Sequence, residues 1–289
     1  MNNSTTSLII NSINAMFEKI FSSVDNNLYS VLDSFVFIDT DILNDKYFSK
    51  IIGSSTSGIL LICNSLILGL LIFFSIKYLF SHLGITNSEH PVQFIFKLII
   101  YSILMNFSFF ICKEIIYIIS LLSSSIRQIG EKLFSSSICF AKLIQNLNSV
   151  ISIDSSSIDV FSLDGLIKSF LSFGLLSLTI TYSIRYVLIK IFVLLSPFAF
   201  ICLTISSTSI FFKSWIRSFL SLLLEQVFIS IVLTFIFSLN FSSSNLSSKF
   251  ILVGSIIILS KANHFVRELL GGIGTDIGAS FSGIKNLFK

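Results

Sequence analysis

Long uncharged apolar stretches, separated by short polar connections, run along most of the chain. The first, Gly58 to Ile76, carries no charge and can cross about 30 Å of bilayer hydrocarbon as a helix rising about 1.5 Å per residue. A second stretch runs from about Gln93 to Leu121. Its membrane part is expected to be Phe94 to Cys112, because Lys113 and Glu114 are costly in lipid unless they face protein, water or the interface.

The apolar region after residue 168 is harder to divide. Ser169 to Ile184 begins a third span, which can continue if Arg185 and Lys190 place their charges at the membrane interface. The next stretch, Ile191 to Phe212, is uncharged but contains Pro197, which lacks a backbone donor and disfavours helix at the residue before it. A hairpin, a kinked span or a re-entrant turn would each fit this pattern.

Two further apolar runs complete the pattern. Gln226 to Ser248 is uncharged and predicts a span that ends near Asn240. Phe250 to Ser260 is short and needs Leu246 or long flanking side chains to cross. The sequence therefore predicts an all-α fold. We expect a polytopic transmembrane helix bundle of about five spans, with a Pro-interrupted hairpin or re-entrant segment and amphipathic terminal helices.

The pattern divides the chain into five regions. They are an N-terminal extracytoplasmic amphipathic segment (1–57), the first two transmembrane helices (58–122), an extracytoplasmic loop that contains a helix (123–168), the C-terminal transmembrane helices (169–260) and a cytoplasmic glycine-rich amphipathic tail (261–289). Apolar residues at helical spacing from Ile9 to Leu28 fit either a helix packed on the rest of the protein or an interfacial or partner-binding helix. In the tail, glycines interrupt an apolar stripe from Phe265 to Phe288. Each glycine weakens a helix by about 1 kcal/mol, so this stripe is expected to fold against a membrane surface or a partner.

Composition and charge support a membrane protein. Hydrophobic residues make up 53% of the 289-residue chain and charged residues 12%, whereas a soluble domain carries about a quarter charged residues. Mean hydropathy is +0.92. The net charge of +4 comes from scattered basic residues, without the clustered footprint that binding to a nucleic acid requires.

The distribution of Lys and Arg predicts an orientation. If the Pro197 segment does not fully cross, the basic residues beside the spans, Lys190 among them, share one side, which the positive-inside rule makes cytoplasmic. The acidic N-terminal region, which includes Asp45, then lies outside. This arrangement puts the N-terminus outside and the C-terminus in the cytoplasm.

The chemistry of an enzyme is missing from the sequence. His82, His90 and His264 are far apart along the chain, the four cysteines are isolated, and no phosphate loop, nucleophile elbow or HExxH motif occurs. We therefore predict no enzymatic activity, no catalytic residues, no cofactor and no metal site.

Glu225 is the one acidic residue between Asp164 and Glu268. An acidic residue within or next to a transmembrane segment is a candidate for a transport pathway. Its position beside Gln226 is also consistent with a place at the interface, or with an ion pair to a basic residue on a neighbouring helix.

The region from Leu166 to Asn240 carries a resemblance. A helix with basic residues from Arg185 to Lys190 is followed by Val193-Leu194-Leu195-Ser196-Pro197-Phe198-Ala199-Phe200 and then by Phe211-Phe212-Lys213-Ser214-Trp215-Ile216-Arg217. This order of a basic-ended helix, a Pro-containing turn, a basic-aromatic belt and a further long span resembles the polytopic inner-membrane channel subunit of type IV secretion and conjugation systems, the TrbL-type family.

The resemblance implies a non-enzymatic subunit of the bacterial inner membrane at the base of a translocation channel. It implies assembly with other copies and with the stalk or pilus, scaffold and ATPase subunits of the apparatus. Carried over to this chain, it implies that Pro197 shapes the turn and that Trp215 and Arg217 lie in the belt at the membrane surface. The sequence pattern itself adds Lys213 to this basic-aromatic belt. One alternative is a small-molecule or ion transporter, or a permease subunit, that uses Glu225. Another is a membrane scaffold or immunity-type protein that conducts nothing.

Overall fold

The computed structural model describes residues 10–16, 19, 31–53, 57–83, 90–150, 162–205, 207–239 and 246–270. Within these ranges the chain forms helices and turns and contains no β-strand. After a helical segment at 31–36 and a 3₁₀ turn at Thr40–Leu43, the helices are α1 (Lys46–Ile52), α2 (Gly58–His82), α3 (Pro91–Asn106), α4 (Ser108–Phe134), α5 (Phe140–Val150), α6 (Leu163–Ile201), α7 (Ser209–Ser238), α8 (Leu246–Ser260) and α9 (Ala262–Leu270).

Four of these helices are long and apolar enough to cross a membrane. They are α2, α4, α6 from Gly165 onward, and α7, while α3 and α8 are shorter apolar helices. The prediction of an all-α polytopic helix bundle is confirmed.

Local sequence signals explain several helix ends. Asp45 accepts a hydrogen bond from the Tyr47 backbone N–H and begins α1, and Ser162 accepts from Gly165 and begins α6. Both are N-cap residues of the preferred types. Pro91 occupies the first turn of α3, where its missing N–H would have no helical partner in any case.

The second predicted span is divided in the structure. Phe107, with φ −91° and ψ 2°, separates α3 from α4. α4 then runs through Ser123, where the sequence placed the start of a loop, and ends at Phe134. The expected helix within the 123–168 region is present as α5, although residues 151–161 lie outside the described ranges.

Of the alternatives for Ile191 to Phe212, the structure contains a hairpin, but its reversal lies after Pro197 and not at it. α6 continues through this residue to Ile201, and the chain reverses afterwards, between Cys202 and Thr208. α7 begins at Ser209 rather than near Gln226. The basic-aromatic belt therefore belongs to the first turns of α7 and not to a loop between spans.

The apolar core has two parts. One joins the 38–52 region to α2, the end of α3, α4 and the adjoining ends of α6 and α7, with Cys63, Met105, Cys112 and Phe219 among its buried residues. The other joins the 31–36 segment to α5, to the first half of α6, to the second half of α7 and to α8. Since α6 and α7 take part in both, they form the central hairpin of the bundle.

α2 and α3 lie antiparallel beside this hairpin and expose most of their side chains. The Asn106 amide donates to the Asn64 side chain at 3.4 Å, and the rings of Phe74 and Phe94 stack with centroids 3.7 Å apart. In the most apolar 18-residue stretch of α2, only 11% of the residues are buried by protein. Such exposure is typical of a helix that faces lipid.

The two ends of the chain are partly described. Of the predicted helix from Ile9 to Leu28, only residues 10–16 and 19 lie within the described ranges, and they are helical. In the tail, α9 packs on α7 through Ala262 and Val266, while Phe265 is 43% and Leu269 80% exposed. The first residues of the predicted apolar stripe therefore face outward. The rest of that stripe, from 271 onward, lies outside the described residues.

Candidate functional site

Polar groups meet at the centre of the bundle, where the N-terminal segment enters between α6 and α7. We call Val36, Ile38, Arg185, Glu225 and Gln226 the central polar cluster. Val36, Arg185 and Gln226 are fully buried, and Ile38 and Glu225 are no more than 2% exposed. Buried polar groups inside transmembrane bundles mark structural cross-links or functional pathways.

Arg185 connects three parts of the chain. Its Nε donates to the Leu222 carbonyl at 2.7 Å, and its Nη1 donates to the Val36 carbonyl at 3.1 Å. The same Nε lies 3.4 Å from Glu225 Oε2. The expectation that Arg185 extends to the interface is therefore wrong. An acid and two carbonyls lie near Nε and Nη1, whereas Nη2 is buried and has no hydrogen-bond partner among the described residues.

Glu225 accordingly forms the ion pair that was one of the sequence alternatives. Both members of the pair are buried, at 0% and 1% side-chain exposure. Removing charges from water is costly, and close pairing with additional hydrogen bonds offsets that cost. The geometry favours a structural cross-link between α6 and α7.

Gln226 attaches the N-terminal segment to α7. Its Oε1 accepts from the Ile38 backbone N–H at 3.0 Å. One turn further along α7, Ser230 shares a 2.7 Å hydrogen bond with Ser123 of α4. Small polar residues of this kind link transmembrane helices, and here they join α4, α7 and the 36–38 backbone.

The turn around Pro197 remains helical because other donors replace the missing one. In a regular helix the N–H of residue 197 would donate to the Val193 carbonyl, and proline cannot do so. Instead the Ser196 hydroxyl donates to the Val193 carbonyl at 2.7 Å. Hydroxyl groups commonly satisfy backbone acceptors that proline leaves unpaired in transmembrane helices.

Trp215 reinforces the same turn from α7. Its indole Nε1 donates to the Phe192 carbonyl at 3.0 Å, and its ring stacks on Phe219 at 5.5 Å between centroids. The side chain is 4% exposed. Trp215 is thus a core residue and not part of a surface belt, whereas Lys213 and Arg217 are exposed.

The five predicted site residues therefore fall into three environments. Pro197 and Trp215 lie in the packed α6–α7 turn region, Glu225 lies in the central polar cluster, and Lys213 and Arg217 face outward.

Sequence reasoning missed the roles of Arg185, Gln226 and Ser196. A signal for Ser196 existed, because a hydroxyl residue directly before proline can replace the lost donor. Nothing local to the sequence indicates that Arg185 binds the carbonyl of Val36, 149 residues away.

A second polar contact fixes the N-terminal segment to α5. The Asp33 carboxylate accepts from the backbone N–H groups of Phe140 at 2.9 Å and Ala141 at 3.3 Å. These are donors at the start of a helix, which otherwise lack partners. Burial raises the pKa of Asp33 above its usual value, although both hydrogen bonds and the nearby Arg127 act in the opposite direction.

Asp45 and Lys190 contradict the predicted sidedness. Their side chains are 4.0 Å apart between Oδ2 and Nζ, whereas the charge distribution placed the first outside and the second in the cytoplasm. Two residues in contact cannot lie on opposite faces of a bilayer, so this part of the predicted orientation is wrong.

The fold and the central polar cluster define an all-α, multi-pass membrane protein whose helices are cross-linked by buried polar contacts. Among the described residues, no group of three or more His, Cys, Asp or Glu side chains could hold a metal ion. In comparisons with protein-family profiles, curated proteins and solved structures, nothing matches this chain.

Proposed function

We propose that the chain is a non-enzymatic, multi-pass subunit in the bacterial inner membrane that forms or lines the base of a type IV secretion or conjugation channel. In this proposal it assembles with other copies of itself and with the stalk or pilus, scaffold and ATPase subunits of the apparatus. The α6–α7 region that carries the resemblance would be its main assembly element.

The observation that carries the proposal is the arrangement of the first turns of α7. Trp215 is fixed in the core by its bond to the Phe192 carbonyl, and Lys213 and Arg217, one helical turn apart, are exposed on either side of it in the sequence. Two cations on a rigid element are well suited to dock an acidic partner surface or lipid headgroups, because little conformational entropy is lost on binding.

The interior of the bundle supports a role within an assembly. Arg185 and Glu225 neutralise each other, and the backbone of residues 36 and 38 occupies the space beside them. The space directly beside the Arg185–Glu225 pair is therefore occupied, which favours a passage formed between several copies over one through that pair.

Purification in mild detergent from cells that contain the native neighbours tests the proposal. We expect a defined homo-oligomer with a secretion ATPase or a pilus-like subunit. Arg217→Glu should remove these partners while membrane insertion is retained. Lys132→Glu, which reverses an exposed charge at the end of α4, is the matched control and should keep them. A monomer or dimer without such partners, or an Arg217→Glu variant that assembles normally, contradicts the proposal.

The C-terminal tail can be tested separately. Because Ala262 and Val266 are buried against the bundle, truncation after Lys261 would damage the core as well as the tail. Truncation after Leu270 preserves α9 and removes residues 271–289. If the tail docks cytoplasmic subunits, this variant should insert and form oligomers but should not retain the ATPase.

A transporter that uses Glu225 is the second candidate. It is supported by the presence of a charged pair at the centre of the bundle, where ionisable residues often take part in transport. This candidate predicts that Glu225→Gln abolishes ion or solute flux in proteoliposomes. The folded state of that variant must be checked by size-exclusion chromatography. Flux that is unchanged in a folded Glu225→Gln variant excludes the pathway.

A further inference from the structure

A polar cavity lies beside the central polar cluster, and neither candidate function uses it. Its volume is about 250 Å³, and it is lined by residues 37–39, by one face of α4 and by Gln226 of α7. The residues on the α4 face are Tyr117, Ser120, Leu121, Ser123, Ser124 and Arg127. A cavity with this lining is suited to a polar ligand.

Gln226 provides an unpartnered donor in the cavity wall. The Ile38 N–H donates to its Oε1. This bond fixes which end of the amide is the oxygen, so the opposite end is the Nε2 donor. Within the described part of the chain, Nε2 is buried and has no hydrogen-bond partner. Since the side chain is fully buried, an unused amide donor at this place is costly unless a ligand or water accepts its hydrogen bond.

Arg127 also lines the cavity and carries a second unpartnered donor. Its guanidinium lies 3.9 Å from the centroid of the Phe37 ring, a cation–π contact that restricts its position. Its Nε is buried and has no hydrogen-bond partner in the described ranges. The residues that line the cavity therefore carry one cationic and one neutral N–H donor without a partner.

Exposed residues of the lining give access to the cavity. Tyr117 is 47% exposed, and Asp39 is also exposed. The Asp39 carboxylate accepts from the Thr40 N–H at 2.6 Å, which holds it in place. A fixed negative charge at this position disfavours a ligand with two negative charges.

We propose that this cavity binds a small aliphatic monocarboxylate. Its two oxygens accept hydrogen bonds from Arg127 Nε and Gln226 Nε2, and its short apolar end lies toward Phe37 and Tyr117. The cavity volume of about 250 Å³ is sufficient for propionate. This assignment does not depend on the proposed secretion function.

Propionate is the probe for the purified full-length protein in detergent. We expect sodium propionate at millimolar concentration to raise the thermal midpoint, monitored by Trp215 fluorescence, by several degrees above sodium chloride of equal ionic strength. Calorimetric titration should give saturable binding. Sodium malonate should give a smaller shift, because its second carboxylate meets Asp39.

Two variants locate the site. Gln226→Glu keeps an oxygen for the Ile38 N–H but replaces the amide donor, and Arg127→Met removes the cation. Each should weaken the dissociation constant for propionate by at least about tenfold. Lys132→Met, which removes an exposed cation from the same helix, should bind propionate like the unmodified chain. Size-exclusion chromatography and circular dichroism of each variant exclude misfolding as the cause.

Three results would overturn the proposal. The first is a propionate shift no larger than that of chloride, which would mean that water alone fills the cavity. The second is equal binding by the unmodified chain and by folded Gln226→Glu and Arg127→Met variants. The third is a malonate shift equal to or larger than that of propionate, which would exclude a preference for monocarboxylates.

Discussion

Arg185 and Glu225 form an ion pair between α6 and α7 in which Nε and Oε2 are 3.4 Å apart and both side chains are buried. Arg185 also donates to the carbonyls of Leu222 and Val36. The pair thus joins the central hairpin to the N-terminal segment. Its contribution to stability depends on both charges being present.

Loss of one member of this pair should be more harmful than loss of both. Glu225→Met leaves the Arg185 charge in the bundle without its counter-ion, and we expect a cost of about 3–5 kcal/mol. The double variant Arg185→Met/Glu225→Met has no uncompensated charge and should recover a large part of that loss. Denaturant unfolding in detergent measures both. If the double variant is as unstable as the sum of the single variants, the two residues do not act as a pair.

Ser196 should be important only while Pro197 is present. Ser196→Ala leaves the Val193 carbonyl without the hydroxyl donor, and an unpaired buried acceptor costs about 1–3 kcal/mol. In a Pro197→Ala background the new backbone N–H can donate to that carbonyl, so the same change should cost less. The difference between the two values is a coupling energy obtained from thermal unfolding. Equal costs in the two backgrounds would show that Ser196 does not compensate for the proline.

Two helical glycines provide a matched test of packing. A Cβ at Gly130 would lie 2.9 Å from Thr234 Cγ2 and 3.1 Å from Ile138 Cγ1, whereas a Cβ at Gly69 would meet nothing within 4 Å. Gly69→Ala should stabilise α2 by up to about 1 kcal/mol through helix propensity. Gly130→Ala should destabilise the α4–α7 contact, because overpacking costs about 1–3 kcal/mol. A Gly130→Ala variant as stable as Gly69→Ala would contradict the close packing.

Asp33 should make stability depend on pH. Because its pKa is raised in the folded chain, the folded state binds the proton more tightly than the unfolded state does. The stability from this group is therefore complete below its ordinary pKa and is lost as the pH rises through the raised pKa. Asparagine cannot ionise, yet it can still cap α5.

The thermal midpoint of the unmodified chain should fall relative to Asp33→Asn as the pH rises from about 3 to about 7. Asp41→Asn, in an exposed acid of the same segment, controls for the general effect of removing a charge. A midpoint difference between the unmodified chain and Asp33→Asn that is constant over this range would mean that Asp33 has the same pKa in the folded and unfolded states.

The helical spans could be predicted because their signal is local. An uncharged run such as Gly58 to Ile76 is compatible with few structures other than a membrane helix. The ends were harder to predict, since a single residue, Phe107, separates α3 from α4. At Pro197 the local rule failed because a hydroxyl one residue earlier satisfies the acceptor that proline leaves unpaired.

The candidate site could be predicted only in part. Glu225 stood out as an isolated acid in an apolar region, and pairing with a basic residue was one possible interpretation. The other members of the central polar cluster are set by tertiary contacts, such as the bond between Ile38 and Gln226, which are 188 residues apart. One of the partners of Arg185 is the backbone carbonyl of Val36. Every residue carries such a carbonyl, so the sequence does not indicate which one binds Arg185.

The position of residues 36 and 38 between α6 and α7 has a consequence for biosynthesis. These residues are synthesised early, but the side chains that bind them belong to helices made 149 and 188 residues later. The Val36 carbonyl and the Ile38 N–H therefore need temporary partners, in water or in the insertion machinery, until α7 has entered the membrane. Folding of the central polar cluster is thus completed late, when α6 and α7 pack around an N-terminal segment that was synthesised much earlier.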